Sequence, residues 1–416
     1  MDFNTEAPKI MHIDLNSAFA SAEQQAHPSL RGRPVGVTNR ISKNCCILTA
    51  SYEAKGLGVK PGMGYVEAKQ ICPDFVLLES DPPKYHYMYK KICQIMKSYS
   101  PNVVMKSIDE GVIDFTDTIG TINKRPMTDI GQEIKLRVKQ EMGCYMRVNI
   151  GIGTNRFLAK QAAGWHKPDG LDLLYSNNLV DYYKQINLTD LSGIAKRFEA
   201  RLNAANIFTP MQFLSAPADI LRVRVFGGIV GDYWHQRLRG YEIDGRPTKL
   251  GIVGRQWVLR KPSNNNDFIL PCFQYLCETV GKKLRYNNVD ARGVLVWMRF
   301  QNGSGFVKRQ MFSSTFYTDK EVYRRALSLF NQRPKHMLVQ TMGITCYQLS
   351  PSTRNQQSIF ESVNKEEWLT QAVDDINERY GGFVVCSANS LDGKMLVKQK
   401  IPFGGTKYFE LLLGRA

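Results

Sequence analysis

Two adjacent carboxylates, Asp109 and Glu110, stand between a serine and an alternating apolar run at residues 111–115. Neighbouring side chains of a strand point to opposite faces, so these acids can serve one site only if the backbone turns between them. A third acid, Asp14, ends the apolar run at residues 10–14. Three carboxylates at strand ends provide the hard oxygen ligands that two Mg²⁺ ions need when a hydroxyl attacks a triphosphate. The alternative for an isolated Asp-Glu pair is a solvated turn.

A second group of polar side chains follows an apolar run and covers residues 49–55. If a helix starts here, Thr49, Tyr52 and Lys55 lie at i, i+3 and i+6, on nearly one face. A hydroxyl, a phenol and an ammonium that converge in this way would suit a triphosphate. Lys167 precedes a proline near the end of another strand and is interpreted as a second phosphate contact. The alternative is an exposed lysine without this role.

The composition favours a polyanionic partner. Lys and Arg number 55 against 38 Asp and Glu, a formal charge of +17 over 416 residues, which favours nucleic acid or an acidic membrane surface. No apolar run reaches the roughly 18 residues of a membrane span, and the start of the chain lacks the form of a signal peptide. We therefore expect a cytoplasmic protein without membrane contact. Nine cysteines in mostly apolar contexts indicate reduced thiols, and the absence of a CxxC pair argues against zinc.

Alternating strands and helices must position the candidate site. Strand-like runs at 10–14, 34–38, 103–107, 112–115 and 147–152 alternate with helical patterns at 18–25, 85–98, 129–141 and 155–163. This order predicts an α+β or α/β layer with one central sheet, in which Ser17 lies near the cap of the first helix. A compact insert rich in Gly, Lys and small residues occupies residues 39–78.

The second half of the chain has two further parts. Residues 175–243 form a pattern of short helices with glycine-containing turns at 191–195 and 226–231. Such turns commonly hold a phosphate backbone through amides at a helix N-terminus, although a simple helical bundle has the same pattern. A β-α-β-β-α-β pattern follows at residues 249–350.

Residues 249–309 contain eleven Lys or Arg against three Asp or Glu. Strand alternation can present such side chains along one face, where they would contact phosphates. The candidates on or beside strands are Arg255, Arg260, Arg299, Lys308 and Arg309. A solvated basic face is the alternative.

Several motifs, in this order and spacing, are shared with a known family. They are residues 12–19 (His-Ile-Asp-Leu-Asn-Ser-Ala-Phe), residues 49–55 with Gly58 and Val59, residues 107–110 (Ser-Ile-Asp-Glu), residues 151–160 and residues 167–170 (Lys-Pro-Asp-Gly). On these motifs the chain resembles Y-family translesion DNA polymerases, with features of the bacterial DinB-like and UmuC-like branches.

The resemblance implies an α+β right-hand polymerase. Its implied parts are a ferredoxin-like palm at 10–38 and 79–173, small fingers at 39–78, a helical thumb at 175–243, a β-α-β-β-α-β little finger at 249–350, and a clamp-binding motif with a C-terminal extension at 351–416. Two Mg²⁺ ions, primer-template DNA and a dNTP are the implied cofactor and partners. A monomer is expected, with an accessory subunit possible.

The same resemblance implies roles for individual residues. The metal ligands would be Asp14, Asp109, Glu110 and the carbonyl of Leu15, and the triphosphate contacts Thr49, Tyr52, Lys55 and Lys167. Phe19 takes the position of the steric gate against a ribose 2′-hydroxyl, the alternative being a core residue of its helix. Cys46 and Leu48 would lie over the nascent base pair.

The implied function is low-fidelity, template-directed DNA synthesis in translesion repair, the SOS response and mutagenesis. One alternative is a catalytically silent adaptor that binds DNA and recruits a clamp, and another is a palm-type nucleotidyl transferase such as a cyclase. Residues 356–360 resemble the pentapeptide that docks bacterial polymerases on the sliding clamp, with Gln356, Ile359 and Phe360 as anchors. Asn16 stands where relatives often have an acid, and Lys55 where many have Arg.

Overall fold

The structure is a computed structural model that describes residues 2–43, 45–118, 124–245, 249–352 and 361–397. The described residues form two compact units, one up to Pro247 and the other from Thr248 on. Both units combine helices with sheets, so the α+β prediction is confirmed. In the described ranges, no helix is both long and apolar enough to cross a lipid bilayer.

The first unit begins with strands and helices in alternation. Up to residue 174 these are β1 (Ile10–Leu15), α1 (Ala18–Ala26), β2 (Val35–Thr38), β3 (Thr49–Ala50), α2 (Tyr52–Gly56), α3 (Tyr65–Ile71), β4 (Val76–Glu79), α4 (Pro82–Lys97), β5 (Val103–Met105), β6 (Glu110–Asp114), α5 (Met127–Met142), β7 (Val148–Gly153), α6 (Arg156–Trp165) and β8 (Leu171–Leu174). Polar caps begin α4 and α6: the side chains of Asp81 and Asn155 accept hydrogen bonds from backbone N–H groups of the first turn.

Five strands form the sheet that positions the acids, in the order β5-β6-β1-β7-β8. The central strand β1 is antiparallel to both β6 and β7, and β7 is parallel to β8. Nearly every residue of β1 is buried, as expected for a middle strand covered on both faces. In this register Asp14 lies opposite Glu110 on one side and opposite Asn149 on the other.

A separate sheet of three strands has the order β3-β2-β4. Its middle strand is Val35–Thr38, so the prediction that this segment joins the central sheet is wrong. All four of its residues are buried, and a short, wholly buried run does not reveal which sheet it will join. The strand pairs with Val76–Glu79 and Thr49–Ala50, which belong to the compact insert or border it.

The remainder of the first unit is helical. It contains α7 (Leu179–Gln185), α8 (Lys196–Ala204), α9 (Pro210–Ser215), α10 (Ala218–Ile220), a π-helix (Leu221–Phe226) and α11 (Val230–Leu238). These helices pack around a core that includes Phe213 and Trp234. The predicted turns are confirmed: Gly193 has φ 99° and Gly227 has φ 70°, a region that favours glycine.

The second unit has the predicted β-α-β-β-α-β order. Its elements are β9 (Ile252–Ser263), α12 (Asn266–Tyr286), β10 (Val289–Phe300), β11 (Gly305–Phe316), α13 (Asp319–Phe330), β12 (Val339–Pro351), α14 (Glu361–Tyr380) and α15 (Leu391–Leu396). The antiparallel sheet has the order β11-β10-β12-β9. Its core is formed by one face of the sheet and by α12 and α13.

Residues 365–397 pack against the helices of the second unit through polar contacts. Arg285 of α12 binds Asp374 of α14 and Asp319 of α13, with its Nε 2.5 Å from Asp374 Oδ2. Glu278 of α12 accepts a hydrogen bond of 2.8 Å from Ser390, and burial raises the pKa of this glutamate to about 7. These contacts give the C-terminal extension a structural attachment that the sequence did not predict.

Candidate active site

A serine-centred turn brings Asp109 and Glu110 to one end of the central sheet. Ser107 Oγ accepts hydrogen bonds from the backbone N–H groups of Asp109 (3.3 Å) and Glu110 (3.1 Å), and it donates to Asp109 Oδ1. The backbone therefore turns where the alternation of a regular strand would separate the two carboxylates. The N–H of Leu15 donates to the carbonyl of Asp109 at 2.8 Å, which fixes this turn to the end of β1.

The three carboxylates have different partners. Lys167 Nζ lies 2.6 Å from Asp14 Oδ2, and Lys160 Nζ lies 2.8 Å from Glu110 Oε2. The hydrogen bond from His12, followed by that from Lys160, lowers the pKa of Glu110 to about 2. Asp109 has no lysine partner among the described ion pairs. Burial raises the pKa of Asp109, and the charges of Asp14 and Glu110 raise it further.

The donor set at this sheet end fits divalent cations. Carboxylate oxygens are the ligands that such ions prefer, and the mutual repulsion of the three acids calls for positive charge. Two lysines supply part of that charge in this conformation. In the described ranges, three or more His, Cys, Asp or Glu side chains do not converge as a ready-made metal cluster.

Tyr52 and Lys55 both lie within electrostatic range of Asp14. Lys55 Nζ lies 4.7 Å from the ring centroid of Tyr52 and donates to Ser17 Oγ at 2.8 Å. Burial, and then the charge of Asp14, raises the pKa of Tyr52 to about 12. Loss of hydration, and then the charge of Lys167, lowers the pKa of Lys55. Two ammonium groups that repel each other are thus held close together, as an anion-binding site requires.

One local prediction near this site, that for Thr49, is wrong, whereas Ser17 lies at the cap of α1 as predicted. Thr49 is not on the helix of Tyr52 but in β3, because Ser51 caps α2 by accepting from the N–H of Ala54. Ser17 occupies the N-cap position of α1, but it has φ 46° and its hydroxyl makes no capping bond. That hydroxyl binds Lys55 instead.

Phe19 is the second residue of α1 and is 7% exposed. Its ring stacks on Tyr85 with a centroid distance of 4.4 Å and an interplanar angle of 17°. The hydroxyl of Tyr85 donates to Glu23 Oε1 at 2.7 Å, so the supporting ring is itself fixed. This arrangement holds one face of Phe19 rigidly.

Cys46 and Leu48 lie on one side of their segment. Cys46 is exposed and Leu48 is half-buried. Cys45, which precedes Cys46, and Ile47, which lies between the two, are buried. The N–H of Leu48 donates to the carbonyl of Val37 at 2.8 Å, which fixes the segment beside β2. The two side chains predicted to lie together therefore share a face.

The five basic candidates of the second unit do not share one face, so that prediction is wrong. Arg255 lies opposite Ile344 of β12, on the side covered by helices, with its guanidinium 5.9 Å from the ring centroid of Tyr275. Burial lowers the pKa of Arg255. Lys308 lies opposite Val296, a core residue, and thus on the helix side of the edge strand β11.

Arg299 and Arg309 lie on the open face of this sheet. Arg309 is opposite Leu295, and Arg299 lies four residues further along β10 on the same face. Arg260 is also exposed and follows the buried Leu259 in β9. The rest of the open face is more apolar than the sequence suggested, with Ile252, Val258, Val307 and Met311 each more than half exposed.

Sequence reasoning missed His12 and Lys160 as members of the site. Both belong to shared motifs, but neither has a spacing that marks it. His12 is 2% exposed, in a strand whose other residues are mostly apolar, and a buried histidine inside an apolar run was the available signal. Lys160 comes to Glu110 only through the packing of α6 on the sheet, which no local pattern reveals.

The proposed clamp anchors, Gln356, Ile359 and Phe360, lie outside the described residues.

Two family models match the chain. Residues 13–164 match the impB/mucB/samB family, and residues 253–359 match the C-terminal domain of the same family. The first match includes Asp14, Asp109 and Glu110. The second includes most of the sheet that carries Arg299 and Arg309.

Curated relatives match over nearly the full length. DNA polymerase IV of Moorella thermoacetica is 30% identical over 92% of this chain and 96% of its own length. DNA polymerase IV of Pelotomaculum thermopropionicum is 29% identical over 94% and 97%. Among solved structures, a Y-family DNA polymerase chimera has a TM-score of 0.69 at 22% identity, covering 82% of this chain and 98% of its own. The insertion ternary complex of Dbh DNA polymerase has a TM-score of 0.57 at 23% identity, with coverages of 81% and 98%.

Proposed function

The chain belongs to the impB/mucB/samB family of Y-family DNA polymerases, and on this basis we propose how its residues carry out DNA synthesis. It is a DNA-directed DNA polymerase of the low-fidelity, translesion type. Its substrates are a primer-template DNA and dNTPs. We propose the palm at 10–38 and 79–173, the fingers at 39–78 and the thumb at 175–243, all within the first unit, and the little finger at 249–350 in the second.

The observation that carries the proposal is the turn at Ser107, which brings Asp109 and Glu110 to the strand end beside Asp14. Members of this family depend on divalent metal, and we assign two Mg²⁺ ions to Asp14, Asp109, Glu110 and the carbonyl of Leu15. Bound there, they supply Lewis-acid activation of the primer 3′-hydroxyl and neutralise charge on the triphosphate. The carboxylates hold the site together, and Ser107 orients Asp109 through its hydroxyl.

The incoming nucleotide takes over Lys167, which contacts Asp14 in this conformation, and Lys55, which contacts Ser17. Lys167 and Lys55 lie near Asp14, and a triphosphate is a stronger partner for two mutually repelling ammonium groups than one carboxylate is. The phenol hydroxyl of Tyr52 donates a hydrogen bond to the triphosphate, because its pKa of about 12 keeps it protonated at neutral pH. Thr49 adds a hydroxyl from β3. These four residues bind and orient the triphosphate. The negative charge that develops during the reaction leaves with the pyrophosphate.

Selectivity for the sugar is assigned to Phe19, and contact with the new base pair to Cys46 and Leu48. The ring of Phe19 is held by Tyr85 and would pack on C2′ of a deoxyribose. Cys46 and Leu48 form a small, mostly apolar surface without long polar side chains. Such a surface distinguishes base pairs by little more than van der Waals contact, which is consistent with low fidelity and with tolerance of a damaged template base. This tolerance supports a role in damage repair, mutagenesis and the SOS response.

The open sheet face of the second unit is proposed to contact DNA. Replacing Arg299 and Arg309 by alanine should weaken DNA binding and lower the slope of log K against log salt concentration by about 0.9 for each lost phosphate contact. A fluorescence-anisotropy titration at several salt concentrations measures this slope. Arg260 is assigned to the same contact.

Lys308→Ala is the matched control for this titration. Lys308 is the neighbour of Arg309 and carries the same charge, but it points to the other side of β11. The slope of log K against log salt concentration for Lys308→Ala should equal that of the unaltered protein. An equal decrease for Lys308→Ala would show that charge near this edge, and not the open face, holds the DNA.

Residues 356–360 are proposed to bind the sliding clamp. Replacing Ile359 and Phe360 by alanine should remove the stimulation of primer extension by added clamp while basal extension stays unchanged, because the catalytic residues lie elsewhere in the chain. Extension assays with and without clamp measure the two quantities. A decrease of equal size without the clamp would contradict the assignment. We also propose that the polymerase acts as a monomer in the cytoplasm.

A further inference from the structure

Two buried asparagines, Asn16 and Asn149, lie beside Asp14. Asn16 follows β1 directly and is 2% exposed, and Asn149 lies opposite Asp14 in β7 and is 0% exposed. A primary amide has two donor hydrogens and one acceptor oxygen, and burial is costly unless the fold supplies partners for them. Neither side chain contacts a carboxylate of the site in the described hydrogen bonds.

The two amides form a chain of hydrogen bonds whose ends bind the backbone on either side of Lys167. The backbone N–H of Asp169 donates to Asn16 Oδ1 at 2.8 Å, and Asn16 Nδ2 donates to Asn149 Oδ1 at 2.8 Å. Asn149 Nδ2 then donates to the carbonyl of His166 at 3.2 Å. The backbone before and after Lys167 is therefore tied to β1 and β7, the strands that carry and flank Asp14.

Further contacts close the segment 166–170 from its other side. The carboxylate of Asp169 lies 3.4 Å from Lys135 Nζ and 3.0 Å from Lys139 Nζ, both on α5. A Cβ added at Gly170 would lie 2.2 Å from the carbonyl oxygen of His166, so the segment folds tightly onto itself. The side chain of Lys167 is 37% exposed and can move about this fixed backbone.

A fixed backbone matters because Lys167 must exchange partners. Its ammonium lies 2.6 Å from Asp14 Oδ2 and has to reach a phosphate when Asp14 is required elsewhere. The attraction of a point charge falls with distance, and small misplacements of a substrate-binding group have large effects on binding and rate. The reach of the ammonium is set by where Asn16 and Asn149 hold the backbone of Lys167.

We propose that Asn16 and Asn149 are positioning residues that place Lys167 for the triphosphate of the incoming nucleotide. This inference rests on the proposed function, in which Lys167 binds the triphosphate. The amides act through Lys167 and do not touch the substrate. Their loss should affect nucleotide binding more than the chemical step.

Steady-state and single-turnover incorporation of one dNTP by the full-length chain tests the proposal. Asn149→Ala should raise KM for the nucleotide about tenfold, equivalent to about 1.4 kcal/mol, with little change in kcat or in the Kd for primer-template DNA. Asn155→Ala is the matched control. Asn155 is 1% exposed and its amide binds the carbonyls of Arg237 and Tyr241, so its loss should lower the melting temperature without raising this KM.

A double-mutant cycle separates positioning from a general structural role. When Lys167 is already alanine, Asn149→Ala should cause no further rise in KM, because the group that it positions is gone. If Asn149→Ala raised KM equally in the presence and in the absence of the Lys167 side chain, the proposal would be overturned. Asn16→Ala breaks the same chain at its other amide, and it replaces Asn149→Ala if a thermal melt shows that variant to be unfolded. An active protein in which both variants keep the original KM contradicts this inference alone, whereas absence of extension by the unaltered protein contradicts the proposed function.

Discussion

Asp109→Ala is expected to lower primer extension by more than about a thousandfold, equivalent to about 4 kcal/mol of transition-state stabilisation. Asp109 is the one acid of the three without a lysine partner among the described ion pairs, and burial, followed by the charges of Asp14 and Glu110, raises its pKa. Its side chain accepts a hydrogen bond from Ser107, but the backbone N–H groups of residues 109 and 110 also hold this turn, so its replacement should leave the fold intact. Single-turnover extension with Mg²⁺ measures the loss.

Asp117→Ala is the matched control for this substitution. Asp117 is an exposed acid shortly after β6, at the opposite end of that strand from Glu110. It should retain extension close to that of the unaltered protein, and both variants should bind primer-template DNA with similar Kd values. Extension by Asp109→Ala at more than about a tenth of the normal rate, a change of only about 1.4 kcal/mol, would contradict the assignment of this site.

Phe19→Ala is expected to increase the use of ribonucleotides relative to deoxynucleotides by about 5- to 150-fold. This range corresponds to the roughly 1–3 kcal/mol cost of burying a 2′-hydroxyl without a partner. The ring is fixed by stacking on Tyr85 at 4.4 Å, so it cannot easily yield to an added hydroxyl. The ratio of kcat/KM for a ribonucleotide to that for the matching deoxynucleotide measures the effect.

Phe19 is also a core residue, and its loss leaves a cavity that should destabilise the protein by several kcal/mol, as large-to-small core substitutions do. Phe157→Ala controls for this effect, because Phe157 is 6% exposed and packs edge-on against Trp234 in another part of the same unit. Both variants should have lower melting temperatures, but only Phe19→Ala should change sugar discrimination. Equal discrimination in both variants would reduce Phe19 to a core residue.

Much of the fold was predictable because the signals are local. The β-α-β-β-α-β order of the second unit and the helices around 85–98 and 129–141 follow from hydrophobic periodicity and from turn residues. The acids at 14, 109 and 110 were singled out because three of them fall at the ends of strand-like runs, although an isolated Asp-Glu pair is usually a solvated turn. The expected turn between Asp109 and Glu110 is formed by the hydroxyl of Ser107.

Several errors arise from pairing and packing between distant segments, whereas the error at Thr49 is local, because Ser51 caps α2. Alternation shows that Lys308 and Arg309 point to opposite sides, but only the register with Val296 and Leu295 shows which side faces the helices. Arg255 was assigned to DNA for the same reason, although it lies opposite Ile344.

Contacts between distant side chains were equally hidden from the sequence. The amide chain from Asn16 to Asn149 joins residues 133 positions apart. The pairing of Lys160 with Glu110 joins two elements across 50 residues. Such contacts depend on how distant strands pair and on how helices pack on the sheet, which periodicity does not encode.

Incorporation of single nucleotides opposite a defined template base tests the central claim most directly. The protein is incubated with Mg²⁺, a labelled primer and four templates that differ in one base, and each dNTP is supplied alone. We predict that the primer grows by one nucleotide mainly with the complementary dNTP, that EDTA abolishes the reaction, and that extension continues on a template with an abasic site. Growth that ignores the template base, or no growth with any dNTP, would contradict the account.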